Sequence, residues 1–306
     1  MWGTILCNYL FRYNASYIKA KLKKSEKILT KDISFTLNEC ESLAIVGETG
    51  SGKTITALSI MGLIPENITY DVSMSLYLKD KGELVNEELF PLVGSSIVYI
   101  PQNGLESLSA LRSVRKHLYD SLKRNGYKGV ELEERALELL KRVGFENPKA
   151  IIDLYPFELS GGMAQRITIA LALAGDISLV IADEPTNGLD DKNREVFLSL
   201  LNSISASKIV ITHDISLASL MDKVLVLKDG IMMEAGESSS VLASPRCEYT
   251  KALINSLCIN GLVETPKIRK ENECCPFYDR CTKVSESCNS VKLVTKDNHS
   301  WRCSNG

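Results

Sequence analysis

The residues of this chain best equipped for chemistry lie in Gly47-Glu48-Thr49-Gly50-Ser51-Gly52-Lys53-Thr54, which fits the P-loop pattern of Gly, four residues, then Gly-Lys-Ser/Thr. Glycines let a backbone fold tightly and aim its N–H groups inward, which makes an anion cradle. A helix starting where the loop ends adds the positive end of its dipole. In such a polyphosphate site Lys53 would meet the β- and γ-phosphates, and the Thr54 hydroxyl would face Mg²⁺. A second reactive set closes Leu179-Val180-Ile181-Ala182-Asp183-Glu184, four apolar residues followed by two acids. That order describes a buried parallel strand with carboxylates at its C-terminal end, where open α/β sheets bind ligands. Lys208-Ile209-Val210-Ile211-Thr212-His213-Asp214 is another apolar strand ending in polar groups. By itself the loop predicts binding of a nucleoside triphosphate and says nothing of its purpose.

These groups need elements to hold them. Leu43 to Val46 reads as a buried strand before the loop. Ile55 to Gly62 reads as the helix after it, with Ile55, Leu58 and Met61 at helical spacing. Upstream, Ile5 to Tyr13 predicts a strand followed by a hairpin or loop, and Ile33 to Leu37 alternates as a half-buried strand. Asp71 to Leu78 and Ser96 to Ile100 predict further strands, the second stopped by Pro101 with Gln102 just after. Leu111 to Leu173 reads as mostly helical. Within it Leu132, Ala136, Leu139, Leu140 and Val143 form one apolar face, and Gly144 is a natural stop. Ser160 stands as an N-cap before Gly161-Gly162. Asp191 to Ser203 predicts a short helix, and Val224 to Glu234 a hairpin turning at Lys228-Asp229-Gly230. Ser238 to Leu257 reads as helical, and Cys258 to Gly306 as irregular and cysteine-rich.

Composition narrows the class. The 306 residues are 44% hydrophobic and 24% charged, enough for one α/β domain with an appendage or for two small domains. A net charge of −2 gives no global field for nucleic acid, and the Lys19–Lys27 cluster reads as a solvated face. No apolar run reaches the ~18 residues of a membrane span. Met1 to Phe11 lacks the basic start of a signal peptide, so the chain is expected in the cytoplasm. Nine cysteines are many for that compartment. Five lie between Cys274 and Cys303, and in reducing surroundings a cluster points to metal before disulfide.

The P-loop, Gln102, Leu159-Ser160-Gly161-Gly162-Met163-Ala164-Gln165-Arg166, Asp183-Glu184 and His213 follow one another in the order of an ABC-transporter ATPase, which the chain resembles over about residues 5–240. Leu154-Tyr155-Pro156-Phe157-Glu158-Leu159 and Glu248-Tyr249-Thr250-Lys251-Ala252-Leu253 look like the ATPase subunits of peptide and nickel importers. The resemblance implies an α/β fold: an ABC-type P-loop nucleotide-binding domain with a RecA-like core, an antiparallel β subdomain and an inserted helical subdomain. That domain would occupy 1–243, with helical residues about 103–163, and a cysteine-rich importer-type extension would occupy 244–306. It implies ATP and Mg²⁺. Thr54, Asp183 and Gln102 would serve the metal, Glu184 would be the general base, and His213 would contact the γ-phosphate. Gln102 would couple metal and water to the transmembrane partner. Gly47 to Thr54 would bind one nucleotide. Ser160, Gly161 and Gly162 would bind the ATP of a second cassette, with Asp190, in Asn187-Gly188-Leu189-Asp190, crossing that interface. Tyr13 is the expected adenine-stacking aromatic, ahead of Tyr9, Phe11 and Tyr17. Cys40 stands where the family turns with glycine, the loop after Gln102 lacks the family's proline, and the helix between Asp190 and His213 is short.

For the tail, the resemblance matches Cys275, Cys281, Cys288 and Cys303 to thiols that can hold a [4Fe–4S] cluster. Zn²⁺ and a set of reduced thiols are the alternatives, and the absence of Cys-x-x-Cys pairs leans the reading toward iron. The expected partners are two permease subunits, a paralogous ATPase or a second copy, and indirectly an extracytoplasmic binding protein, with the chain on the cytoplasmic face of the membrane. The expected function is ATP hydrolysis driving import of peptides, nickel or metal chelates. A soluble ATPase of iron–sulfur cluster assembly is the alternative.

Overall fold

The computed structural model describes residues 10–21, 25–256 and 275–306. They form two compact units. One takes the chain up to Asn86 and from Val210 onward, and the other takes Glu87 to Ile209. The residues from 244 onward, expected as an extension, fall in the same unit as the P-loop.

In that first unit seven strands run in the spatial order Gly82–Val85, Ile68–Leu78, Phe11–Lys21, Glu26–Leu37, Ile231–Glu237, Lys223–Lys228, Ser42–Val46. The outer strands are antiparallel, and every second residue of Phe11–Ala15 is buried, as a sheet with one covered face requires. The P-loop strand Ser42–Val46 lies parallel to Lys223–Lys228, with Val46 opposite Val226. It is buried from Leu43 onward, which explains why its sequence is an unbroken apolar run. Lys223–Lys228 returns through Asp229 and Gly230, both at positive φ (46° and 77°), which is the twist a two-residue hairpin needs. Of the strand expected over Ile5 to Tyr13, residues 5–9 lie outside the described set, and the described strand runs from Phe11 through the expected loop to Lys21. Cys40 adopts φ 60°, so the turn there uses a left-handed residue where glycine is the usual choice.

The tail is more regular than its composition suggested. Val294–Lys296 and His299–Trp301 form a hairpin through Asp297 and Asn298, at φ 51° and 59°. Trp301 then pairs with Glu234, adding this hairpin to the sheet. Fully buried Glu234 fixes it, accepting from His299 Nε2 (2.7 Å) and from the backbone N–H groups of Arg246 (2.7 Å) and Cys247 (3.1 Å).

In the second unit Ile97–Ile100 and Leu179–Asp183 pair in parallel, Ile100 beside Ala182. The expected helical stretch is Val114–Arg124, Glu131–Arg142, Pro148–Ile151 and Gly161–Ala172. Leu132, Ala136, Leu139 and Leu140 are the buried face of the second helix. Its first turn is acidic and its last turn basic, which suits the helix dipole. Among the described residues no helix is long and apolar enough to cross a membrane.

Candidate functional site

The P-loop is shaped by what surrounds it. A Cβ on Gly47 would lie 2.2 Å from the Leu227 carbonyl oxygen, and one on Gly52 would lie 2.7 Å from Thr30 Cγ2. Gly52 also sits at φ 96° before the helix Lys53–Ile60. Side chains are therefore excluded at both ends of the loop, so the backbone itself lines it. Lys53 is buried and donates from Nζ to the carbonyls of Gly47 (2.8 Å) and Glu48 (3.0 Å), which draws its ammonium across the loop. Ser51 is buried with its hydroxyl unpartnered, while Thr54 is exposed. A loop with a cationic side chain and an unused hydroxyl fits an oxyanion.

Glu48 gathers partners from three other segments of this unit. Lys228 Nζ donates to it at 3.0 Å, Arg280 Nη2 lies 2.8 Å from both carboxylate oxygens, and its backbone N–H donates to Tyr249 Oη at 3.3 Å. Burial pushes the Glu48 carboxyl up, but the hydrogen bonds from Arg280 and Lys228 outweigh it and hold the group below its ordinary range.

In the second unit the strand Leu179–Asp183 delivers the two acids. Asp183 is buried and accepts from Tyr99 Oη at 3.3 Å, and burial followed by that carboxylate pushes the phenol up. Glu184 is half-buried and sits at φ 44°, an unfavourable backbone state for a non-glycine residue and one that recurs at functional positions. Gln102 is exposed, and Asn103 caps the short helix Gly104–Ser107 in the loop that lacks the expected proline. Ser160 Oγ accepts from Met163 N at 3.3 Å, the expected N-cap, leaving Gly161 exposed at the helix start. Asp190 caps the helix Asp191–Asn202, accepting from Asn193 N at 2.8 Å. His213, in the first unit, is exposed beside Asp214, which caps the helix Ile215–Ala218.

Gln165 was quoted in the sequence without a role of its own. Buried, it accepts from Gly104 N (3.2 Å) and donates from Nε2 to the Pro185 carbonyl (2.6 Å). One side chain thus ties the Ser160-Gly161-Gly162 helix to the segment after Gln102 and to the segment after Asp183-Glu184. Its place in the quoted stretch was the available signal. Tyr249 likewise stands in the Glu248–Leu253 stretch, while nothing in the sequence related Arg280 or Lys228 to Glu48.

One expectation is corrected here. Tyr13 is fully buried, its ring stacked on Phe35 at 5.1 Å and its hydroxyl 2.8 Å from Ser59 Oγ, with burial raising its pKa to about 12. It has no face for adenine. Phe11 is equally buried, Tyr17 is half-buried under Lys19, and Tyr9 lies outside the described residues. Cys275, Cys281, Cys288 and Cys303, joined by Cys247, line one cavity of about 10 Å³. That is space for about one water. Among the described residues no group of three or more His, Cys, Asp or Glu is arranged to hold a metal ion. Cys258 and Cys274 lie outside the described residues.

Comparison with known proteins supplies the context. The ABC transporter family matches residues 30–187, and the oligopeptide/dipeptide transporter C-terminal region matches residues 233–288. The oligopeptide transport ATP-binding protein AppD of Bacillus subtilis is 33% identical over 304 residues, covering 92% of both chains. The metal-staphylopine import system ATP-binding protein CntD of Staphylococcus aureus is 34% identical over 76% of this chain and 88% of its own. In three dimensions the chain resembles the ATP-binding cassette MJ0796, solved as a dimer in a post-hydrolysis state with ADP and Pi. The TM-score is 0.64 and the identity 27%, over 75% of this chain and 99% of that one.

Proposed function

This chain belongs to the ABC transporter family of ATPases, and we propose that it is the ATP-hydrolysing subunit of an importer whose cargo is a peptide or a metal chelate. The observation that carries the importer reading is the match of residues 233–288 to the oligopeptide/dipeptide transporter C-terminal region, a segment beyond the nucleotide-binding family match. The same match, with relatives named for peptide and metal-staphylopine import, sets aside the iron–sulfur assembly alternative.

In this reading Lys53 and the backbone of residues 47–54 bind the triphosphate. Glu184 takes the proton of the attacking water, and His213 donates to the γ-phosphate. Thr54, Gln102 and Asp183 are the groups that would hold Mg²⁺. They offer only oxygen ligands, one of them a buried carboxylate, which suits a hard cation. When bound, the metal neutralises phosphate charge. Ser160, Gly161 and Gly162 present backbone N–H groups at a helix start, and these serve the nucleotide of a second cassette, with Asp190 beside that interface. Support for pairing comes from the dimeric, nucleotide-bound cassette that the chain resembles. The second cassette is a paralogous ATPase or another copy. Two permease subunits complete the complex at the cytoplasmic face of the membrane, and a separate binding protein delivers cargo. Closure on ATP and reopening after hydrolysis would alternate the permease's access.

The test is purification of the tagged chain from detergent-solubilised membranes. Two polytopic permease subunits should come with it. Recovery only as an unassociated protein would remove the importer reading and leave the ATPase.

A further inference from the structure

The C-terminal segment reaches the phosphate loop through one side chain. A turn from Cys275 to Arg280, closed by Tyr278 N to Cys275 O (3.0 Å) and Arg280 N to Phe277 O (3.2 Å), carries Phe277 and Arg280. Phe277 is buried against Tyr249, ring centroids 5.3 Å apart, and the Arg280 guanidinium lies 5.6 Å from the Phe277 ring. This packing aims Arg280 at Glu48, the second residue of the loop, with Nη2 2.8 Å from each carboxylate oxygen. Lys228 alone would not neutralise that carboxylate, because its Nζ is shared between Glu48 (3.0 Å) and Asp229 (3.1 Å). Among Glu48, Asp229, Lys228 and Arg280 the carboxylates are matched one for one only while Arg280 is in place.

We propose that Arg280 is a positioning residue for the nucleotide: it cancels the Glu48 charge beside the phosphates and makes the C-terminal segment part of the nucleotide site. The inference rests on the nucleotide-site reading above. Without Arg280 the Glu48 carboxylate keeps only the Lys228 ammonium that it shares with Asp229, so an uncancelled carboxylate charge stands beside an anionic ligand, and the tether holding the second loop residue is lost. A unit charge facing doubly negative Mg·ATP across about 8 Å of water-like dielectric weakens binding about fivefold. The effect should shrink with added salt, since the cluster is only partly buried.

The experiment is titration of the purified full chain, in Mg²⁺, with a fluorescent ATP analogue. Arg280→Gln keeps much of the side chain's length and removes the charge, and it should weaken binding about fivefold. Arg280→Lys keeps the charge and should bind within about twofold of the unaltered chain. Adding Glu48→Gln to Arg280→Gln removes the uncancelled carboxylate and should restore affinity to within about twofold. A misfolded tail could not be rescued by that second change. Unaltered binding in Arg280→Gln, or a loss that persists in the double variant, would overturn the proposal. Failure of the unaltered chain to bind the analogue would instead remove the nucleotide-site reading itself.

Discussion

Replacing Gln165 with leucine should disconnect three motifs at once. The substitution keeps approximate volume but strips the Gly104 N–H and the Pro185 carbonyl of their partners at 3.2 and 2.6 Å. A Cβ on Gly104 would stand 2.7 Å from Gln165 Oε1, so the two are packed too closely for water to take over. Each stranded buried group costs about 1–3 kcal/mol, so the pair should cost roughly 2–6 kcal/mol. At about 2 °C per kcal/mol for a chain of this length, the melting transition should fall by roughly 4–12 °C. Thermal unfolding by circular dichroism reads this directly. In the remaining folded protein kcat should fall at least about tenfold, because the segments after Gln102 and Glu184 lose their shared anchor. ATP affinity should hold within about twofold, since none of the three residues belongs to the P-loop. Gln165→Glu separates hydrogen bonding from packing. It keeps the shape but turns a carboxylate oxygen onto the Pro185 carbonyl, and it should be at least as damaging as leucine. A leucine variant melting within about 1 °C of the parent with full turnover would refute the reasoning, because the two groups would then have other partners.

Two further outcomes follow from the structure. Tyr13→Leu should lower stability by about 2–3 kcal/mol, from the lost core ring and hydroxyl bond, while leaving the ATP Kd unchanged; a fivefold weaker Kd in the folded variant would restore adenine stacking to Tyr13. The Glu48–Arg280 contact has a pH signature: the folded carboxyl lies below its ordinary 4.5, so the contact is fully present above that value and is lost only as pH falls through the lowered one. The affinity ratio of Arg280→Gln to the parent should therefore stay flat from about pH 8 to about pH 5.5, and a ratio that titrates near pH 6–7 would assign the effect to another group.

What the sequence made legible was local. The apolar runs Leu43–Val46 and Leu179–Ala182 had to be buried strands, because nothing polar interrupts them. Ser160 announced its helix by being a serine before two glycines, and the Asp229-Gly230 turn announced its hairpin. What stayed hidden was long-range. Arg280 and Glu48 are 232 positions apart, and no pattern within either segment relates them. Tyr13 looked available because a lone aromatic in a strand does not reveal which face the sheet covers. Its alternation with Phe11 and Ala15 settles that face only once the strand is known to begin at Phe11. The tail hairpin was missed because Val294–Lys296 and His299–Trp301 are three residues each. Strands that short show no period. They are held by Glu234, which lies on another strand.

The account stands most directly on Glu184. ATP turnover by the unaltered chain and by Glu184→Gln, assayed side by side with nucleotide binding, tests it. The unaltered chain should hydrolyse ATP only with Mg²⁺ present. Glu184→Gln should bind ATP with unchanged affinity and lose about 10²–10⁴ of its rate, the range a positioned base supplies. Hydrolysis by Glu184→Gln at the unaltered rate would contradict the account.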